Sequence, residues 1–249
     1  MSTASKVTLA VADGVAIISL NRPNKHNAVD DELHEEFVAT WAQVTADPAA
    51  RVILLRGEGR SFCSGRDTAA LGRGPSHDSA LASIRAHQQF RQTELDTPKP
   101  VIAALHGHVL GGGLEIALAA DIRIAATDTQ LAFPEIRYGL MTDTGGAPLA
   151  TMLAGPARAK WLLMTGTPID ANRALAWGLV DDVVAPEELD AVAGALAAAI
   201  ATAPPDALAM IKQTVDGFWH GAVQAGMRAE LLGMVALFGG PAYQARKPG

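Results

Sequence analysis

The chain has one cysteine and no surplus of positive charge, and each shortage closes off a class of proteins. The one thiol among 249 residues, Cys63, can build neither an intrachain disulfide framework nor a cysteine-rich zinc site. With 20 Lys and Arg against 26 Asp and Glu, no basic excess draws the protein to nucleic acid or anionic lipid. An anionic ligand must then be gripped locally, by a few cations and backbone N–H groups. Long apolar runs are missing too: the Ala-rich stretch 191–201 is too short to cross a bilayer as a helix. The opening Met-Ser-Thr-Ala-Ser-Lys lacks the apolar centre of a signal peptide, so a cytoplasmic protein is expected. What remains is an ordinary globular composition, 49% hydrophobic, able to bury one large core or two modest ones.

The pattern along the chain is mixed α/β. Residues 7–10 and 15–20 alternate around Asp13-Gly14, a hairpin signal. A helix is predicted over 30–46, with Leu33, Phe37, Trp41 and Val44 on one face, Asp30 as N-cap and Asp47-Pro48 as its end. The short apolar runs 52–55 and 101–105 read as buried strands. Between them, 72–79 reads as a mobile surface loop. Gly111-Gly112-Gly113 opens a short helix to about residue 120, and 121–125 alternates as a strand. Helices follow over 156–164 and 171–177, then a last strand over 179–184 and helices over 186–202, 205–215 and 221–238. Two regions are expected: a mixed core over 1–190 and a helical region over 191–249.

The three glycines carry the clearest chemical signal. They let a ligand approach the backbone and leave helix N-terminal amides free for a developing oxyanion. Glu115, three residues after Gly112, falls on about the same helical face and is a candidate acid or base. Glu135 and Asp143 lie among apolar and glycine residues, surroundings that raise carboxyl pKa values. Each also has a structural reading: Glu115 as a first-turn complement to the helix dipole, Glu135 in an ion pair with Arg137 or Arg123, Asp143 as cap of a helix after Thr144. His34-Glu35-Glu36 starts like a zinc motif without a second histidine, and no metal is expected. Cys63 reads as a small buried hydrophobe.

Taken in order, Asn21-Arg22-Pro23 with Asn27-Ala28, Phe62-Cys63-Ser64-Gly65-Arg66-Asp67, Pro98–Ala104 with Gly107 and Gly111–Glu115, Pro134-Glu135-Ile136, and Thr165-Gly166 with Gly178-Leu179-Val180 resemble the crotonase (enoyl-CoA hydratase/isomerase) superfamily. The resemblance implies an α/β crotonase (ClpP-like) spiral of ββα units with a C-terminal helical region for trimerisation, often paired into hexamers. It implies an oxyanion hole from the backbone N–H groups of Arg66 and Gly112. No permanently bound cofactor is implied, and coenzyme A enters only as part of an acyl-CoA thioester substrate. Contacts to its CoA part are expected from Arg22, Lys25, Ser64, Asp67, Arg246 and Lys247. Glu115 and Glu135 match the two glutamates with which enoyl-CoA hydratases hold a water. Asp143 departs from that pattern and, with Glu135, resembles the proton-shuttling pair of dienoyl-CoA isomerases. Met141-Thr142 stands where Ile/Val-Pro is usual. Hydration is the leading expectation, double-bond isomerisation the second, and a non-catalytic acyl-CoA binder the third.

Overall fold

The structure, a computed structural model, describes residues 5–67 and 77–245. Two strands open the chain, β1 (Val7–Ala12) and β2 (Val15–Leu20), paired antiparallel from Val7↔Leu20 to Ala12↔Val15. Their two-residue turn needs positive φ at both positions, and Asp13 (51°) and Gly14 (84°) supply it. The sheet then continues in parallel through β3 (Val52–Gly57), β4 (Val101–Leu105), β6 (Ile122–Ala126) and β9 (Asp182–Val184), in the order β1-β2-β3-β4-β6-β9. A second sheet joins three short strands, β5 (His108–Leu110), β7 (Gln130–Ala132) and β8 (Ile169–Asp170), in the order β5-β7-β8. Runs of two or three residues are too short to show a period, which is why these strands escape a reading of the sequence.

Parallel strands are buried on both faces, and β4 (VIAAL) is buried at every residue. On one face lies α1 (Asp31–Ala46), which buries Leu33, Phe37, Trp41 and Val44 as the spacing predicts. Asp30 caps it, its Oδ1 accepting from the Leu33 N–H at 2.9 Å. The other face is covered by α7 (Leu189–Ala201), whose Ala193, Ala197 and Ala201 pack on Val52, Leu54, Ile102 and Ile124. Methyl groups four apart let this helix lie close to the sheet, so the helical segment after residue 190 begins inside the core.

One expectation is corrected. Residues 72–76 lie outside the described residues, but 77–79 are not loop: they begin α2 (His77–Leu95), a helix the sequence hides. Its inward stripe is Ile84, Gln88, Arg91 and Leu95, with Glu94 beside it, all buried. The spacing is helical, but polar residues occupy the buried face, so hydropathy shows no stripe.

The remaining helices are α3 (Gly112–Leu118), α4 (Gly146–Ala154), α5 (Pro156–Thr165), α6 (Ala171–Trp177), α8 (Pro205–Asp216), α9 (His220–Phe238) and α10 (Pro241–Gln244). Among the described residues no single helix is long and apolar enough to cross a membrane.

Candidate active site

The end of β5 delivers the chain to Gly111-Gly112-Gly113, and each glycine is there for a different reason. At Gly111 φ is 52°, and a Cβ would stand 2.5 Å from Glu135 Oε1. At Gly113 a Cβ would stand 2.3 Å from the Cys63 carbonyl oxygen. At Gly112 the nearest atoms would be Glu115 Oε2 at 3.9 Å and the Arg66 amide nitrogen at 4.0 Å, ordinary contact distances. The fold therefore requires glycine at 111 and 113 and does not require it at 112. The space beside Gly112 is open to a ligand.

Arg66 is brought there by an isolated parallel bridge to Val29, with Val29 N–H donating to Gly65 O at 2.8 Å and Asp67 N–H to Val29 O at 2.9 Å. Leu110 N–H, donating to Cys63 O at 3.0 Å, ties the same loop to β5. Among the described residues neither the Arg66 nor the Gly112 N–H donates to a protein acceptor. Two unused main-chain donors thus stand side by side, Gly112 at the N-terminus of α3.

Carboxylates face them. Glu115 is buried and accepts three hydrogen bonds: Thr144 N–H at 2.8 Å and Gly146 N–H at 2.9 Å on Oε1, and Thr144 Oγ1–H at 2.7 Å on Oε2. Glu135 sits on a 3₁₀ turn, Pro134–Tyr138, and its Oε2 is buried with no hydrogen-bond partner among the described residues. Burial first, then the charge of Glu115, pushes its pKa up to about 8, so it holds a proton at neutrality. No ion pair forms with the two arginines expected as partners: Arg137 donates to Gly166 O, and Arg123 to Ala120 O and Asp181. Asp143 is pushed up to about 7, by burial and then by Glu115, while Arg66 and Arg91 pull it down. It does not cap the helix after Thr144. That helix, α4, has Gly145 as its N-cap and takes its acceptors from two distant glutamates.

The second of these, Glu230 on α9, was missed. Its Oε1 accepts from Thr142 Oγ1–H at 2.6 Å and Ala147 N–H at 2.8 Å, and its Oε2 from Gly145 N–H at 2.7 Å. Burial, with Glu115 adding to it, pushes Glu230 up to about 8 against these bonds. The signal was in the sequence: Val223, Met227, Glu230 and Met234 form a buried helical stripe with one acid in it. Thr142, where the resemblance expects proline, is the hydroxyl that acid accepts from.

Arg66, Gly112, Glu115, Glu135, Asp143 and Ser64 all line one cavity of about 360 Å³. Of the other expected CoA contacts, Arg22 is engaged with Asp67 at 2.7 Å, Asp30 at 3.2 Å and Ala28 O at 3.0 Å, so it braces the loop that carries Arg66. Lys25 is exposed on the 3₁₀ turn Pro23–Lys25. Arg246 and Lys247 lie outside the described residues. Cys63 is buried, its thiol pushed up to about 12 by desolvation. Among the described residues no three His, Cys, Asp or Glu side chains gather as a metal site.

Two amide donors and three carboxylates around one cavity define a protein able to hold a carbonyl oxygen while protons move beside it. The chain belongs to the enoyl-CoA hydratase/isomerase family, whose model matches residues 10–237. It is accordingly an enzyme of that family, a lyase or an isomerase, with the crotonase fold. It is 38% identical over 83% of its length to the (E)-benzylidenesuccinyl-CoA hydratase of Thauera aromatica, covering 80% of that protein. To the 1,2-epoxyphenylacetyl-CoA isomerase of Escherichia coli (strain K12) it is 36% identical, with 83% and 80% of the two chains covered. The crystal structure of an enoyl-CoA hydratase/isomerase from Xanthobacter autotrophicus Py2 superposes with a TM-score of 0.92 at 30% identity, covering 98% of this chain and 91% of that one.

Proposed function

We propose that the protein adds water to an enoyl-CoA thioester. The observation that carries this reading is the contrast between two glutamates at one cavity: Glu115 pinned by three donors, Glu135 with a buried Oε2 that no donor among the described residues meets. The thioester oxygen accepts from the Arg66 and Gly112 amides. A water held against the Glu115 carboxylate adds its hydroxyl to the β-carbon, and its proton passes to Glu115. The double-bond electrons move onto the thioester as an enolate whose oxygen the amides stabilise. Glu135 gives its proton to the α-carbon, and the proton on Glu115 returns to Glu135 to reset the site. No cofactor is needed, since each atom transferred comes from water, substrate or these two side chains.

The test follows the conjugated absorbance of crotonyl-CoA. Loss of absorbance, abolished by Glu135→Gln, supports hydration; no loss with the wild type overturns it. A second reading, double-bond isomerisation by Glu135 and Asp143, draws support from Asp143 lining the same cavity and raising Glu135 by its charge. Turnover of a conjugated dienoyl-CoA alone, lost in Asp143→Asn, would select it.

The same reading gives Lys25 and Ser64 to the CoA portion, and a cytoplasmic setting. Trimers, single or paired, are supported by α8, which exposes Met210, Ile211 and Val215 ahead of the 90% exposed Phe218. Light scattering at a monomer mass would count against self-association.

A further inference from the structure

The chain holds only 6 Phe and 2 Tyr, and half of them, Phe37, Phe90, Tyr138 and Phe238, line the cavity. His34 and His87 line it as well. Four of these rings form one continuous wall. Phe90 meets Phe37 edge-on at 5.3 Å and His34 edge-on at 5.6 Å, and His34 lies 4.1 Å from His87. Edge-to-face arrays extend readily by one more ring.

The wall is also polar at one end. The His34 imidazole has no hydrogen-bond partner among the described residues. Burial first, then His87, lowers its pKa to about 4, so it is neutral with one N–H and one lone pair. His87 places Nδ1 2.7 Å from Ser83 O and so donates from it when neutral, leaving Nε2 as an acceptor. A saturated alkyl chain laid here would leave these nitrogens without a partner, which weakens its binding.

We propose that the acyl group taken by this enzyme ends in an aromatic ring with a hydroxyl-type substituent, seated on the Phe37–Phe90–His34 wall with the substituent toward His34 and His87. This rests on the acyl-CoA reading of the site and adds the substrate class.

The test measures Kd by calorimetry for three saturated thioesters, which cannot be hydrated: phenylpropionyl-CoA, its para-hydroxy form, and nonanoyl-CoA of equal carbon count. The hydroxyaryl ester is expected to bind about tenfold more tightly than nonanoyl-CoA. Phe90→Leu should remove the preference for the ring, and His34→Phe should remove only that for the hydroxyl. Equal or tighter binding of nonanoyl-CoA overturns the proposal, as does an equal loss for all three esters in both variants. If crotonyl-CoA is hydrated while the ring preference is absent, this inference alone falls. If no ester binds and crotonyl-CoA is untouched, the acyl-CoA reading falls with it.

Discussion

Two pairs of acidic side chains lie close enough to feel one another's charge, and they are supplied with donors in opposite ways. Glu115 and Glu230 are each met by three donors from the segment 142–147, and together they satisfy the first amides of α4. Glu135 and Asp143 face the cavity with no comparable set of donors among the described residues, and burial pushes them up to about 8 and about 7. Burial raises Glu230 as far as Glu135, so burial alone does not make a proton donor. A buried carboxyl held by N–H and O–H groups is fixed in place by them; one left without them is free to turn toward a ligand in the cavity.

The largest effect should come from the unsupplied member. Glu135→Gln removes the proton donor and little else, so kcat should fall by about 10²–10⁴ with no loss of melting temperature at neutral pH. An unchanged kcat would break the contrast. Next is Gly112→Ala. Its methyl meets nothing closer than 3.9 Å, so the protein should fold normally. It would nonetheless occupy the room beside the Arg66 amide and lower kcat/KM by about tenfold or more.

The two supplied acids should part ways, one responding through activity and the other through stability. In Glu115→Gln the amide oxygen can keep both backbone donors on Oε1 while the Thr144 hydroxyl turns to accept from the new NH₂. Folding should survive although activity is lost. In Glu230→Gln either amide orientation sets an NH₂ against the Gly145 N–H or the Thr142 and Ala147 donors. Stability should drop by about 1–3 kcal/mol in denaturant titration.

The smallest effect is on pH dependence. Glu135 and Glu230 start from 4.5 and are raised to about 8, so the folded chain holds protons that the unfolded chain releases. Their stabilising contribution is complete below pH 4.5 and fades as pH rises through about 8. The melting temperature should therefore decline between about pH 4.5 and pH 8 and level off above that, and Glu135→Gln should flatten part of the slope. Activity should fall as pH rises through about 8 and Glu135 deprotonates.

Much of this was legible in the sequence, in the places where local chemistry and packing agree. The stripe from Leu33 to Val44, the Asp13-Gly14 turn and the Gly111–Gly113 run each announce one structure. Glu135 and Asp143 stood out as acids in apolar company and Glu115 by its spacing from Gly112, each with a structural reading beside it. The sequence was least legible where a buried face carries polar groups. Gln88, Arg91 and Glu94 hid α2, and Glu230 sat inside an apolar stripe as if misplaced. Glu94 is met by Arg91 on the same helix, but the other partners lie far along the chain: Asp143 O and Met227 O for Gln88, Thr144 O for Arg91, and the α4 amides for Glu230. Pairings at that separation leave no periodic trace.

The bonds made by Gln88 and Glu230 set a condition on when the molecule can work. Gln88 Nε2 donates to Asp143 O and to Met227 O, both at 2.7 Å, so it fastens the acid-bearing segment to α9. Glu230 fastens it again from α9 itself. Synthesis reaches that helix late, after both sheets have been made. A nascent chain still short of it would own Glu115, Glu135 and Asp143 and the Arg66 and Gly112 amides, yet would lack the clamp that holds Asp143 and Thr144 in place. Competence for catalysis should thus arrive in one step, when α9 docks.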